Sequence, residues 1–320
     1  MASQSKKQNI IERKIVQLDG LQQNIKLLAF PYAVTKKFAD DHGGYLAALI
    51  AYYGFVSLFP LLIIATAVIQ IVAQNDAELR EQLLGNITGY FPSLGQTLTD
   101  SINTPSRSGW ALLAGILVLF YGAKGVADAV QHTLNHIWAV PRYKRAGFPK
   151  STIRSFGIII FAGLGLVLAA ALTGWASGGH HDFPIRFGLW MSGFTVLTTV
   201  FWGVFTFGSS ARKRPIANIP GAVFASIAFT LLQAIGAYII ARQLKGQTGL
   251  NAQFAVVLAL LFWLYLQARV FVYALEINAV RAHALWPRSI NPNPPVSADA
   301  KAYRLYQRRE TYVDAETAGR

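Results

Sequence analysis

Apolar residues along the chain are gathered into six long runs, separated by more polar stretches. The hydrocarbon core of a bilayer is about 30 Å thick, so a helix that rises about 1.5 Å per residue needs about 20 apolar residues to cross it. None of the runs alternates with the period of two that is typical of a half-buried strand. The pattern therefore predicts six membrane-spanning helices, at residues 46–73, 110–130, 155–175, 186–208, 219–241 and 254–277.

The predicted fold class is an all-α, polytopic membrane protein, and the composition agrees with it. Of the 320 residues, 53% are hydrophobic and 14% are charged, whereas a soluble domain carries about 25% charged residues. The chain has no cysteine. This excludes a disulfide framework, a thiolate metal site and a cysteine nucleophile.

Lysine and arginine are distributed unequally between the two sets of segments that flank the spans. The segments on the side of both termini carry 22 of them, and those on the other side carry five. Positively charged flanks stay in the cytoplasm, so both termini are predicted to be cytoplasmic. The net charge of +14 follows largely from this topology. Nucleic acid is not an expected partner, because the basic loops are short and lack the interleaved aromatic residues of a single-strand platform.

The predicted domains are an N-terminal segment at 1–44, a transmembrane domain at 45–285 and a cytoplasmic tail at 286–320. The first is polar, so no cleavable signal peptide is expected. Residues 8–38 show helical spacing and predict one amphipathic helix, with Gly20 and Pro31 as weak points. It suits either the cytoplasmic membrane surface or packing under the bundle. Its apolar stripe consists of Ile11, Ile15, Leu18, Leu21, Ile25 and Leu28.

Two further segments lie outside the spans. The stretch between the first two runs, residues 74–109, carries two apolar stripes, which predict two short interfacial helices on the outer face. The tail begins with a proline-rich stretch and becomes polar, so we expect it to be extended and then disordered. Within it, residues 303–309 have the composition of a short basic helix.

Ionisable residues inside the predicted spans cost free energy and are therefore informative. Lys124 and Asp128 are four residues apart, so they lie on one helix face and can pair. Arg269 and Glu276 are seven apart on one face of the last span. Arg269 needs an anion, and the alternatives are Glu276, Asp128 or a ligand phosphate or carboxylate. Both sets admit a structural and a functional role.

In the first span, Pro60 removes a backbone hydrogen bond and predicts a kink. Tyr52, Tyr53 and Ser57 precede it, and Ser57 is placed to satisfy a freed carbonyl. The pair His132 and His136 has helical spacing, but its motif lacks the glutamate of a zinc hydrolase. No metal site and no cofactor is therefore predicted.

Three stretches resemble the YihY/BrkB family of bacterial inner-membrane proteins: AYYGFVSLFPLL, AVQHTLNHIW and WLYLQARVFVYALEINA. The resemblance covers roughly residues 25–285 and implies six spans. The chain departs from the family pattern at TGLNAQFA and at Lys124. The matching positions are Ala51, Tyr52, Tyr53, Ser57, Phe59, Pro60, Asn135, Trp138, Glu276 and Asn278.

The functional hypothesis is a transporter of a lipid-like or anionic amphipathic molecule in the inner membrane. The alternative is a non-transporting scaffold or envelope-assembly protein. The family has been labelled a ribonuclease, but the sequence lacks the clustered acidic groups that phosphodiester hydrolysis needs, so we expect no enzyme. The expected partners are membrane lipids, an anionic or amphipathic substrate and a second copy of the chain. The candidate pathway or ligand-contact residues are Tyr52, Tyr53, Ser57, Pro60, Lys124, Asp128, Asn135, Arg269, Glu276 and Asn278.

Overall fold

The computed structural model describes residues 19–72, 109–178, 182–211, 213–243, 250–290 and 295–313. Every regular element within those ranges is helical, as the sequence predicts. Residues 19–24 form a short helical stretch, and two 3-10 helices lie at Arg142–Lys144 and Pro215–Asn218. The α-helices are α1 (Lys26–Asp40), α2 (Gly43–Val72), α3 (Gly109–Ile137), α4 (Lys150–Gly178), α5 (Phe183–Phe207), α6 (Ile219–Gln243), α7 (Leu250–Ala282) and α8 (Ser297–Arg309).

The six apolar runs fall on the six long helices α2 to α7. Within the described residues, four segments are long and apolar enough to cross a membrane: Lys150–Ala176, Phe183–Phe207, Pro215–Gly236 and Val257–Ala282. The other two runs fall on α2 and α3, which are 30 and 29 residues long. Four of the predicted spans are thus confirmed by length and composition, and the count of six stays a prediction.

Helices α4 and α5 pack against each other in antiparallel orientation. Gly165 lies against Val200, and Gly203 lies against the ring of Phe161, so close that an added Cβ would overlap either neighbour. Further along, a Cβ at Gly193 would lie 3.3 Å from the carbonyl oxygen of Ala169. Small residues thus let the two backbones approach, which is the usual basis of helix packing in membranes.

The chain divides into two compact units. Unit 1 comprises the described residues within Met1–Leu46, Val130–Ala228 and Arg269–Arg320. Unit 2 comprises those within Ala47–Ala129 and Phe229–Ala268. Each unit draws on helices that are distant in sequence.

In unit 1, α1 and α8 share an apolar core with the C-terminal part of α7. Phe38 of α1 stacks on Tyr273 of α7, with ring centroids 4.1 Å apart and the planes at 4°. Burying such side chains stabilises the contact by about 1.5–3 kcal/mol each. The buried members of this core are Ala33, Val34, Val280, Leu285 and Ala302.

The N-terminal amphipathic helix differs from the prediction of one continuous element over 8–38. The helix is interrupted at Ile25, which has extended backbone angles (φ −100°, ψ 103°), while Pro31 lies inside α1. The predicted stripe residues Leu21, Ile25 and Leu28 are exposed. The helix α1 instead packs through the opposite set of positions, Ala29, Ala33, Val34, Lys37 and Phe38. The remaining stripe residues, Ile11, Ile15 and Leu18, lie outside the described residues.

The C-terminal tail also differs from the expected extended and disordered segment. Residues 295–313 contain α8, which includes the basic helix predicted at 303–309. Ala298 and Ala302 face the core, and Asp299 is fully buried. Apolar contacts at helical spacing and buried ion pairs order this polar segment, which its overall composition does not reveal. The predicted outer-face helices between the first two runs lie outside the described residues.

Candidate functional site

Unit 1 contains a buried group of charged side chains, here called the Lys37 cluster: Lys37, Asp41, Glu276 and Arg309. The Nζ atom of Lys37 lies 2.5 Å from Oδ2 of Asp41 and 2.9 Å from Oε2 of Glu276. It also donates to the carbonyl of Ile137, at 3.2 Å, where α3 ends. Arg309 donates to Asp41 across 2.8 Å. The cluster therefore joins α1, α3, α7 and α8.

The protonation states in the Lys37 cluster follow from its pairing. Burial lowers the pKa of Lys37, but the charges of Asp41 and Glu276 outweigh burial and leave that pKa above its usual range. Burial raises the pKa of Asp41, and the nearby Lys37 charge and hydrogen bond more than compensate, so the net shift is downward. Asp41 is thus ionised and Lys37 is charged at neutral pH, and each stabilises the other.

A second ionic group, here called the Arg288 cluster, connects α1, α8 and the segment that follows α7. Arg288 is fully buried; its Nε lies 2.7 Å from Asp299 and its Nη1 lies 2.8 Å from Asp40. Lys36 is 3.0 Å from Asp299, and Tyr306 donates to Asp40 across 3.2 Å. Because these charges are paired and hydrogen-bonded with one another, the Arg288 cluster holds the three segments together and is not arranged as an open binding site.

Three of the predicted site residues form hydrogen bonds within the packing of unit 1. Glu276 belongs to the Lys37 cluster. Asn135 accepts hydrogen bonds from the Ser210 N–H at 2.8 Å and from the Ser209 hydroxyl at 3.2 Å. Asn278 accepts one from the Gly221 N–H at 2.7 Å. All three predicted residues are buried, so their polar groups hold neighbouring segments together.

Glu276 has a partner that the sequence pattern does not name. Glu276 forms its ion pair with Lys37, a residue outside the predicted spans. The guanidinium of Arg269 lies over the ring of Phe38, at 5.5 Å, and beside that of Tyr273, at 5.9 Å. Lys37 was missed because its partner is distant in sequence. One local signal was available, since Lys37 and Asp41 are four residues apart next to the apolar Val34 and Phe38.

The remaining predicted residues lie in unit 2. The Lys124–Asp128 pair is confirmed, with Nζ 2.5 Å from Oδ2 and side chains that are 41% and 40% exposed. Tyr53 packs against Gly125, and its ring meets that of Tyr52 edge-on, at 5.3 Å. Tyr52 is exposed. Unit 2 thus presents a half-exposed ion pair and an exposed tyrosine on neighbouring helices.

Ser57 and Pro60 both lie on α2 in unit 2. The Ser57 hydroxyl donates to the carbonyl of Gly54 at 2.8 Å, three residues back. The sequence predicts a different acceptor, the carbonyl of Val56 that Pro60 leaves free. A Cβ at Gly122 would lie 3.0 Å from Ser57. Ser57 therefore also packs closely against α3 at Gly122.

Within the described residues, no group of three or more His, Cys, Asp or Glu side chains is arranged to hold a metal ion. The rings of His132 and His136 lie 6.0 Å apart, one helical turn from each other on α3.

Long apolar helices, packed through small residues and tied together by buried ion pairs, define a multi-pass, all-α membrane protein. The family model described as "Virulence factor BrkB" matches residues 34–296. The chain belongs to this family, which confirms the resemblance found in the sequence.

The chain is similar along most of its length to three curated proteins. It is 24% identical to "Inner membrane protein YhjD" of Escherichia coli (strain K12), over 85% of this chain and 87% of that protein. It is 22% identical to "Putative ribonuclease-like protein YfkH" of Bacillus subtilis (strain 168), over 79% and 95%. An uncharacterised protein of Dickeya dadantii (strain 3937) is 22% identical, over 82% and 84%. No solved structure matches the chain.

Proposed function

We propose that the protein lies in the bacterial inner membrane, with six spans and both termini in the cytoplasm. The proposal is supported by the unequal distribution of lysine and arginine and by the similarity to a protein named as an inner membrane protein. Reporter fusions after residues 44, 145, 213 and 320 test it. Cytoplasmic signals are expected at all four positions, and a periplasmic signal at any of them contradicts the topology.

We further propose that the protein transports an anionic, lipid-like molecule and is not an enzyme. The observation that carries this proposal is the Lys124–Asp128 pair. It lies on α3, which bears the predicted span 110–130, and both side chains remain about 40% exposed. A charge placed in hydrocarbon costs about 2.5–3.5 kcal/mol on insertion scales. A charged lipid headgroup that moves along α3 would avoid the cost of entering hydrocarbon without partners, because it could exchange hydrogen bonds with Lys124 and Asp128.

Purified protein reconstituted in liposomes tests this proposal. Fluorescent phosphatidylglycerol is included in the bilayer, and added dithionite quenches the label as it reaches the outer leaflet. Wild-type protein is expected to speed the quenching above that of protein-free liposomes. Lys124→Met is expected to lose most of the flux, while Lys26→Met, at an exposed lysine of α1, retains it. Wild-type flux equal to that of empty liposomes would reject the transport proposal.

A scaffold role is the second candidate, and a specific observation favours it. Glu276, Asn135 and Asn278 are bonded to protein groups in unit 1, as expected of residues that hold a rigid framework. This role predicts no lipid flux and a defined protein partner that is recovered by in-cell crosslinking. Flux that depends on Lys124 would contradict it.

An RNA-cleavage assay with wild type and His132→Ala tests the ribonuclease alternative, for which we expect no activity.

A further inference from the structure

A third charged region of unit 1 lies where the loop between α3 and α4 meets the end of α8. The loop is tied down at Arg142, whose N–H donates to the carbonyl of Thr311 at 3.0 Å. The Arg142 side chain pairs with Glu310 at 3.1 Å and lies over the ring of Tyr312 at 4.7 Å. These contacts give the loop a defined conformation, so its cations have fixed positions.

Arg145 brings free hydrogen-bond donors to this region. Its Nε donates to the carbonyl of Val140 at 3.2 Å. Within the described part of the chain, its Nη atoms have no hydrogen-bond partner. A guanidinium carries five N–H donors and cannot lose its charge at physiological pH. Arg145 therefore presents the edge of a guanidinium that is suited to bidentate contact with an oxyanion.

The electrostatic surroundings of Arg145 are positive. Burial is the largest cause that lowers the pKa of Arg145, and the charge of Arg142 is the next. The charge of Arg309 acts in the same direction. Burial and the charges of the three arginines likewise lower the pKa of His132 on α3. The opposing carboxylate, Glu310, is already shared by Arg142 and Arg309. An additional anion would balance the excess positive charge.

The position of this region relates it to the membrane surface. Arg145 precedes by five residues the candidate span that begins at Lys150, so it lies near the level of the headgroups. Aromatic side chains beside it are exposed: Phe148 is 88% exposed and Tyr312 is 64% exposed. Exposed aromatic residues next to cations are typical of protein surfaces that contact the interfacial region of a bilayer.

We propose that Arg142 and Arg145, with His132 beside them, bind the phosphate group of an anionic phospholipid headgroup at the membrane surface. The arginines supply the charge and the paired donors, while Phe148 and Tyr312 contact the glycerol and upper acyl region. This site goes beyond the proposed transport function. It lies in unit 1, is built from residues other than Lys124 and Asp128, and requires no movement of lipid.

Native mass spectrometry of the full chain in an uncharged detergent tests the proposal. Phosphatidylglycerol and phosphatidylcholine are titrated against wild type, Arg145→Gln and Arg145→Lys. Wild type is expected to bind phosphatidylglycerol more tightly. Arg145→Gln is expected to weaken that binding about tenfold, the order expected from losing a charge-assisted hydrogen bond. Arg145→Lys keeps the charge without the paired donors, so its affinity is expected to lie between the two.

The matched control is Lys26→Gln, which removes one exposed cation from α1 and is expected to leave lipid binding unchanged. An equal loss in Lys26→Gln and Arg145→Gln would show a general charge effect and overturn the proposal. Equal binding of the two lipids by wild type would also overturn it.

Inorganic phosphate is added as a competitor. Displacement of the lipid by phosphate at matched concentration would assign the site to a free anion instead. Arg145 is partly exposed, and unchanged thermal unfolding verifies that its variants fold.

Discussion

Lys37 and Glu276 are separated by 239 positions in the chain, and the Nζ atom of Lys37 lies 2.9 Å from Oε2 of Glu276. Both side chains are almost fully buried. Lys37 lies in α1, and Glu276 lies in α7, so one ion pair connects an N-terminal helix to the last long helix. Asp41 shares the same ammonium group, which makes Lys37 the central cation of the cluster.

Replacing Lys37 by Met is expected to destabilise the protein by about 3–5 kcal/mol, because two buried carboxylates lose their cation. Thermal unfolding in detergent, followed by fluorescence-detected gel filtration, measures this effect. Lys26→Met on the same helix is the control, and its effect is expected to stay within about 0.5 kcal/mol because Lys26 is exposed. Equal melting temperatures for the two variants would show that the buried pair does not stabilise the fold.

Replacing Arg288 by Met is expected to loosen the C-terminal helix α8. The change leaves Asp40 and Asp299 without the buried guanidinium that pairs with both, at a cost of about 3 kcal/mol or more. Limited trypsin digestion at Arg308 reports the loosening, since cleavage requires local unfolding. Faster cleavage is expected in Arg288→Met than in the exposed-site control Arg304→Met. Unchanged cleavage would mean that the Arg288 cluster does not hold α8 in place.

A methyl group at Gly221 is expected to separate α6 from α7. A Cβ there would overlap the carbonyl oxygen of Ala274 and lie against the Asn278 amide. Overpacking of this kind costs about 1–3 kcal/mol. Gly157→Ala is the matched control, since a Cβ at Gly157 meets nothing within 4 Å and alanine favours a helix by up to about 1 kcal/mol. Melting temperatures of the two variants are expected to move in opposite directions, and a Gly221→Ala protein as stable as wild type would refute the contact.

Stability is expected to fall as the pH is lowered from about 6.5 towards 4, the ordinary pKa of histidine being about 6.5. Burial, aided by the charge of Lys37, lowers the pKa of His283 to about 4. In this pH range the unfolded chain binds a proton at His283 that the folded protein does not bind. The free energy of unfolding therefore decreases on acidification, by up to about 1.4 kcal/mol per pH unit.

Melting temperatures of wild type and His283→Asn at pH 7 and pH 5 measure this effect. The variant is expected to lose less stability on acidification, because it lacks the group that titrates. His42→Asn, at an exposed histidine, is the control and is expected to behave like wild type. If His283→Asn also behaves like wild type, the acid sensitivity has another origin.

The positions of the long helices could be predicted from the sequence. A helix that crosses hydrocarbon needs about 20 apolar residues in a row, and runs of that length are visible in the sequence without any tertiary contact. The Lys124–Asp128 pair could also be predicted, because the helical repeat brings positions four apart together. In both cases the information is local.

The break at Ile25, the order in the tail and the partner of Glu276 were decided by the tertiary structure. Lys37 and Arg288 lie outside the long apolar runs, and their burial depends on neighbours more than ten residues away. A charged side chain is tolerated in a protein interior when an opposite charge is held within reach. Which charge that is depends on how α1, α7 and α8 pack. The sequence by itself determined where the chain is helical and apolar, and the packing of those helices decided which polar groups are buried and paired.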